Sequence, residues 1–124
     1  MARILIIDDE VSTQRPLQIL LERAGHEVRS AANGCEALRL WQESPGDLVI
    51  TDIHMPEKDW IEMILEFRHF APRVPILAMS GSGRSGRLDV LRDAALLGAA
   101  GTIAKPFAVQ DMIAAVERAL QEPR

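Results

Sequence analysis

The chain has a single cysteine, Cys35, among 124 residues, so no internal disulfide can form and a zinc cluster is excluded on ligand count. A reducing cytoplasm suits such a sequence. Positive charge is not in excess: the formal net charge is −4, which removes the electrostatic reason to expect nucleic-acid binding by this domain. Long apolar runs are missing too. No stretch approaches the ~18 residues of a membrane span, and Met1-Ala2-Arg3 followed by a short apolar run is too brief for a signal peptide. Internal repeats, low-complexity segments and linkers are absent as well. The expectation is a cytoplasmic protein without membrane association, one domain over residues 1–124, whose 48% hydrophobic content supports a genuine core. Gln121-Glu122-Pro123-Arg124 reads as a frayed end or the stump of a linker.

What is present is a set of apolar runs. Ile4-Leu5-Ile6-Ile7, Leu48-Val49-Ile50, Ile76-Leu77-Ala78-Met79 and Thr102-Ile103-Ala104 are nearly unbroken, as in strands buried on both faces. Glu27-Val28-Arg29-Ser30-Ala31 alternates like an edge strand. Between them, helical spacing joins Leu17, Leu20, Leu21 and Ala24; Ala37, Leu38 and Trp41; Ile61, Ile64, Leu65 and Phe67; Leu88, Leu91 and Ala95; and Val109, Met112, Ile113, Val116 and Leu120. This alternation predicts an α/β fold with a five-stranded parallel sheet and helices on both faces. Gly25 and Gly98 follow helical patterns as terminating glycines do, and Asn33 can cap the second helix. Pro16 is cheap if Ser12 is the N-cap, because its missing N–H then falls in the first turn.

Ligands of such sheets bind beyond the carboxyl ends of the strands, and that is where the polar residues fall: Asp8-Asp9, Asp52, Ser80 and Lys105. An isolated Asp-Asp pair is more often a turn or a cap, a lone lysine is usually solvated, and a serine after a strand usually caps. Asp52 changes the balance. In the flavodoxin-like order 2-1-3-4-5, strands one and three are neighbours and the three carboxylates converge. Carboxylates so packed repel one another unless a cation lies among them, and Mg²⁺ prefers hard oxygen ligands, one or two of them carboxylates. Pro106 restricts Lys105 to an extended conformation, which fixes where its amine points.

With these residues in view, the chain resembles the receiver domains of two-component response regulators, the CheY-like family. The resemblance rests on Ile7-Asp8-Asp9-Glu10, on Thr51-Asp52-Ile53-His54-Met55-Pro56, on Ser80, and on Gly98-Ala99 leading to Lys105-Pro106-Phe107, and it covers essentially the whole chain. It implies that Asp52 is the phosphoacceptor, that Asp8, Asp9, Asp52 and the His54 backbone carbonyl serve Mg²⁺, and that Ser80 and Lys105 hold the phosphoryl oxygens. It implies a sensor histidine kinase or histidine phosphotransfer protein as donor, and an effector domain or downstream protein as receiver of the signal. His54 and Ser82 occupy positions that influence the lifetime of the phosphorylated state in the family. The glycine-rich loop Gly81-Ser82-Gly83-Arg84-Ser85-Gly86 is expected to be mobile and to respond to the new charge.

Two positions depart from the family pattern. Thr102 stands in the last strand where an aromatic residue is usual, which puts the coupling of Ser80 to the surface of the last strand and its flanking helices in doubt. The turn after Met55-Pro56 usually ends in glycine, but here reads Glu57-Lys58-Asp59-Trp60, and Trp60 is a candidate for core packing, shielding or partner contact.

Three other readings compete. The loop after strand four matches G-x-G-x-x-G, but a dinucleotide site also needs an acidic residue about 20 residues on, at the next strand end, where this chain has Ala104-Lys105. A small Mg²⁺-dependent phosphatase of the haloacid dehalogenase type also uses a strand-end aspartate. Such enzymes carry a second aspartate two positions after the nucleophile, where His54 stands here, so the chain is expected to act only on its own carboxylate and not as a turnover enzyme. A degenerate receiver acting as a binding module is opposed by the intact set Asp8, Asp9, Asp52, Ser80 and Lys105 but kept open by Thr102.

Overall fold

A computed structural model of the chain describes residues 2–52, 60–70, 73–80, 101–104 and 107–121, with the backbone alone at 60–63, 80 and 104. Its strands are β1 (Arg3–Ile7), β2 (Glu27–Ala31), β3 (Leu48–Asp52), β4 (Ile76–Ser80) and β5 (Gly101–Ala104). Its described helices are α1 (Val11–Arg23), α2 (Gly34–Glu43), α3 (Trp60–Phe70) and α4 (Val109–Gln121). The helical pattern at Leu88, Leu91 and Ala95, and Gly98 after it, lie outside the described residues. The strands form one parallel sheet in the order β2-β1-β3-β4-β5, as expected, with the alternating strand β2 at an edge.

The apolar strands divide their side chains by parity, because successive residues of a strand point to opposite faces. Ile4, Ile6, Leu48, Ile50, Leu77 and Met79 face Leu17 and Leu21 of α1 and Met112, Val116 and Ala119 of α4. Leu5, Ile7, Val49 and Ile76 face Ala37, Leu38 and Trp41 of α2 and Ile64 and Phe67 of α3. Trp41 and Phe67 meet edge to face, ring centroids 5.6 Å apart. Both faces of the central strands are therefore dry, which explains runs too apolar for a one-sided sheet. The helical pattern overreaches at three of the described residues: Ala24 is exposed and already the C-cap of α1, and Leu65 and Val109 are 54% and 56% exposed. Leu65 follows the buried Ile64 on a helix whose inward stripe is carried by Ile64 and Phe67, and Val109 is the first residue of its helix, outside the stripe set by Met112, Val116 and Ala119.

Helix ends follow local chemistry. Asn33 caps α2 as expected: its Oδ1 accepts from the Glu36 N–H at 2.9 Å, while Glu36 Oε1 reaches back to the Ala32 N–H at 2.8 Å. Gly25 ends α1 at φ +97, with the Gly25 N–H donating to the Glu22 carbonyl and the His26 N–H to the Leu21 carbonyl. The start of α1 differs from expectation. Val11 is its first helical residue and Glu10 its N-cap, without a side-chain cap bond, so Ser12 is already inside the helix. Pro16 then lies in the second turn and denies the Ser12 carbonyl its usual donor. Both residues are exposed, so water can serve that carbonyl. In α3, Arg68 donates to the Val74 carbonyl; burial lowers the pKa of its guanidinium from the usual arginine value, yet a group starting so high stays charged.

A Cβ added at Gly25 meets nothing within 4 Å, so substitution there tests backbone conformation alone. Gly25→Ala is expected to lower unfolding stability by about 1–2 kcal/mol, the cost of a left-handed residue bearing a side chain. A urea titration followed by circular dichroism, with an unchanged m-value, measures it.

Candidate functional site

The β1–β3 register carries Asp8 to Asp52. Cα partners run from Ile4↔Leu48 to Ile7↔Thr51, and the same offset continued by one residue sets Asp8 beside Asp52. Asp8 has the parity of Ile4 and Ile6, and Asp52 that of Leu48 and Ile50, so strand alternation puts both on the face covered by α1 and α4. Both are buried, at 1% and 2% exposure. Carboxylate oxygens of Asp8, Asp9, Glu10 and Asp52 lie within 4.8 Å of one another. The expected convergence of Asp8, Asp9 and Asp52 is present, and Glu10 joins it.

Local bonding explains how the turn after β1 presents its acids. The Asp8 N–H still pairs with the Ala31 carbonyl of β2 at 3.0 Å, so Asp8 is held in line with the sheet. Its Oδ1 accepts from the Glu10 N–H at 2.9 Å, a side-chain turn that reverses the chain into α1. Gln14, one turn into α1, donates from Nε2 to the carbonyls of Asp8 and Ala31, both at 3.1 Å. On β3, the Thr51 hydroxyl donates to the Asp52 carbonyl at 3.1 Å within the buried strand end. Glu10 is read from the sequence only as part of the Ile7-Asp8-Asp9-Glu10 motif and not as a site residue, and Gln14 is not singled out at all. For Glu10 the signal was its place directly after the Asp pair; for Gln14 no sequence pattern pointed to a contact between α1 and two strand ends.

The donor set fits a hard divalent ion. Around octahedral Mg²⁺, with bonds of about 2.0–2.1 Å, opposite oxygens stand about 4.2 Å apart, so carboxylates grouped within 4.8 Å can share one ion directly or through its waters. Burying adjacent carboxylates is costly unless positive charge or donors face them. Asp8, Asp9 and Asp52 could hold the ion, with Glu10 at the exposed rim.

Not every candidate can be placed. His54, Ser82 and Lys105 lie outside the described residues, as do the side chains of Ser80 and Trp60. The backbone gives Ser80 as the last residue of β4, paired with Ala104 at the end of β5, one strand away from Asp52, which pairs with Met79. Trp60 is the first residue of α3. Thr102 is exposed on the edge strand β5. A cavity of ≈ 90 Å³ opens away from the acids, lined by Arg3, Glu27, Arg29, Trp41, Ser44 and Gly46 among others. Its cations are already engaged, Arg3 with Glu27 at 3.1 Å and Arg29 with the carbonyls of Leu40 and Ser44, so it fastens the end of α2 rather than offering free charge.

Comparison with known proteins agrees with this arrangement. A model of the response regulator receiver domain matches residues 4–117. The chain is 33% identical over 121 residues to the DNA-binding transcriptional regulator NtrC of Bradyrhizobium sp. (strain RP501 Parasponia), covering 98% of this chain but only 25% of that protein. It is 34% identical to the response regulator receiver protein CpdR of Brucella abortus (strain 2308), over 97% of this chain and 98% of that one. Among solved structures, a response regulator receiver domain protein from Clostridium thermocellum superposes with a TM-score of 0.87 at 33% identity, covering 97% and 94% of the two chains. The receiver domain of NtrX from Brucella abortus gives 0.89 at 30% identity, covering 97% and 99%.

Glu10 makes no capping bond, so its charge can be removed without undoing the helix start. Glu10→Gln is expected to weaken Mg²⁺ binding by roughly twofold to fivefold at low salt, with the difference fading above about 0.5 M ionic strength, because an exposed charge acts through screened solvent. Isothermal titration of both proteins at two salt concentrations checks this.

Proposed function

This chain is a member of the response regulator receiver domain family, and from that premise we propose that Asp52 is the phosphoacceptor of a two-component phosphorelay. The supporting observation is the placement of Asp52: at the carboxyl end of the central strand β3, 2% exposed, its carboxylate within 4.8 Å of those of Asp8, Asp9 and Glu10. The donor is the phosphohistidine of a sensor histidine kinase or a histidine phosphotransfer protein. An Asp52 oxygen forms the new O–P bond as the N–P bond of the phosphohistidine breaks, and the leaving imidazole takes up a proton.

The difficulty in this step is that one anion approaches another, so the protein's part is neutralisation and alignment. Asp8, Asp9, Asp52 and the proposed His54 backbone carbonyl would hold Mg²⁺, which would supply positive charge to offset that of the phosphoryl group. Asp8, held in line with β1 by its N–H bond to Ala31, keeps its carboxylate on the Asp52 side. Lys105 and Ser80 are proposed to hold the phosphoryl oxygens; Ser80 ends β4, which lies beside β3, and Lys105 follows β5, the next strand out in the sheet order. Burial of Asp52 on the dry face of the sheet keeps water from the acyl side of the phosphate. His54 and Ser82 are proposed to set how readily water reaches it from outside.

The chain acts on its own carboxylate and not as a turnover enzyme. Its output is a change of shape read by a partner or an effector domain. Relatives exist in both arrangements, since the chain spans a quarter of the NtrC protein and nearly all of CpdR. Exposed Thr102 on β5 lacks the ring that would report an inward turn, so the signal is proposed to leave through the segment after β4. No described helix is long and apolar enough to cross a membrane, and a cytoplasmic location is proposed.

Incubation with Mg²⁺ and acetyl phosphate, followed by intact-mass measurement, is expected to show one added phosphoryl group. Asp52→Asn should abolish it and chelation of the metal should reduce it at least tenfold. Continuous phosphate release from a phosphomonoester would instead indicate a phosphatase, and an unmodified protein would indicate a binding module.

A further inference from the structure

We propose that Gln14 is a positioning residue that pre-forms the cation site by clamping the peptide between Asp8 and Asp9. The proposal rests on the reading of the acidic group as a Mg²⁺ site and adds a residue outside that group. The β1–β2 ladder has its last paired residues at Ile7↔Ala31, so the Asp8 carbonyl lies one step beyond it. There the Gln14 amide provides the donor, bonding the Asp8 carbonyl and the Ala31 carbonyl at 3.1 Å each. Two acceptors facing one atom fix the orientation of that amide, since only its nitrogen can serve both.

The clamped carbonyl belongs to the peptide that joins two members of the acidic group. Rotation of this peptide would swing Asp9, and after it Glu10, away from Asp8 and Asp52. Mutual repulsion of carboxylates within 4.8 Å drives that rotation whenever no cation is present. The Asp8 Oδ1 bond to the Glu10 N–H resists it from the side-chain end, and Gln14 resists it from the main-chain end. Holding the ligands near their bound geometry spares the ion that ordering cost, which is the general source of preorganised affinity.

A merely structural role would make Gln14 one more bond between α1 and β2. Gln18, one turn further along α1, provides the control: its Oε1 accepts from the Ser30 hydroxyl of β2 at 2.8 Å, away from the acids. Gln14→Met keeps length and removes the amide that donates to both carbonyls; Gln18→Met removes the amide that accepts from Ser30 and donates to Glu22. Mg²⁺ affinity by isothermal titration, and the Mg²⁺-induced rise in Tm, are measured for all three proteins. Gln14→Met is expected to bind Mg²⁺ five- to tenfold more weakly and to show a smaller Mg²⁺-induced rise, while Gln18→Met loses stability with and without the metal alike and keeps the original affinity. If Gln14→Met does not fold, Gln14→Asn, which keeps an amide one methylene too short, replaces it with the same expectation. Affinity within twofold of the original, or an equal loss in Gln18→Met, overturns the clamp. Absence of Mg²⁺ binding by the unsubstituted protein overturns the cation reading itself and the clamp with it.

Discussion

Two carboxylates buried side by side, Asp8 and Asp52, are the constraint around which the molecule is arranged. Water would solvate them if they were exposed, and the hydrocarbon core would reject them if they lay deeper. They are tolerated because they stand one step past the last pair of β1 and β3, Ile7 with Thr51, at the sheet's carboxyl edge, where the dry layer ends. That position follows from three features together: parallel strands, β1 next to β3, and a register that leaves both acids on the same face. Change any one and the carboxylates part.

The rest of the fold makes this edge rigid. Every central strand is packed on two faces, so β1 and β3 cannot slip without moving apolar side chains through two cores at once. The turn leaving β1 is fastened by the Asp8 side chain, by the Asp8 N–H and by Gln14, and it passes into α1 without a conventional cap. Glu10 occupies the cap position yet lies with the acids, which is a local compromise: a serine or aspartate there would have capped the helix better. Pro16 in the second turn is a further departure from ideal helix design. Both fall in the first two turns after the acidic group, where conformity to secondary-structure rules yields to placement of charge.

The sheet was legible from composition because strands buried on both faces must be apolar at every position, and only such runs can supply two cores. Its order was not legible from periodicity, which says nothing of which strands are neighbours; it came from the common flavodoxin-like arrangement of parallel sheets, with which the family resemblance agrees. The convergence of Asp8, Asp9 and Asp52 followed from that order. What escaped were features decided by tertiary geometry. Leu65 and Val109 are apolar and helical yet face solvent, because a helix buries a stripe and not every apolar residue near it. The start of α1 was misplaced because Ser12 is the better cap by type, whereas the turn made by Asp8 and Glu10 sets where the helix begins. Gln14 escaped because a glutamine inside a helix carries no signature until two strand ends stand beside it.

Charge balance connects the site to its proposed output. Four carboxylates already gather at one edge of the sheet, and a phosphorylated aspartate carries close to two negative charges in place of one. No rearrangement of Asp8, Asp9 or Glu10 can accommodate that increase, since each is tied to β1 or to the turn into α1, and the strands beneath them are locked by both cores. On the proposed reading, Mg²⁺ offsets part of that charge on the acid side, and further positive charge and hydrogen-bond donors come from Lys105 and Ser80, which follow or end β5 and β4. With Ser80 and Lys105 as the proposed donors opposite a rigid acidic side, the proposed response is one-directional. On the proposed reading, this asymmetry is what turns a local change of charge into a displacement that a partner can detect.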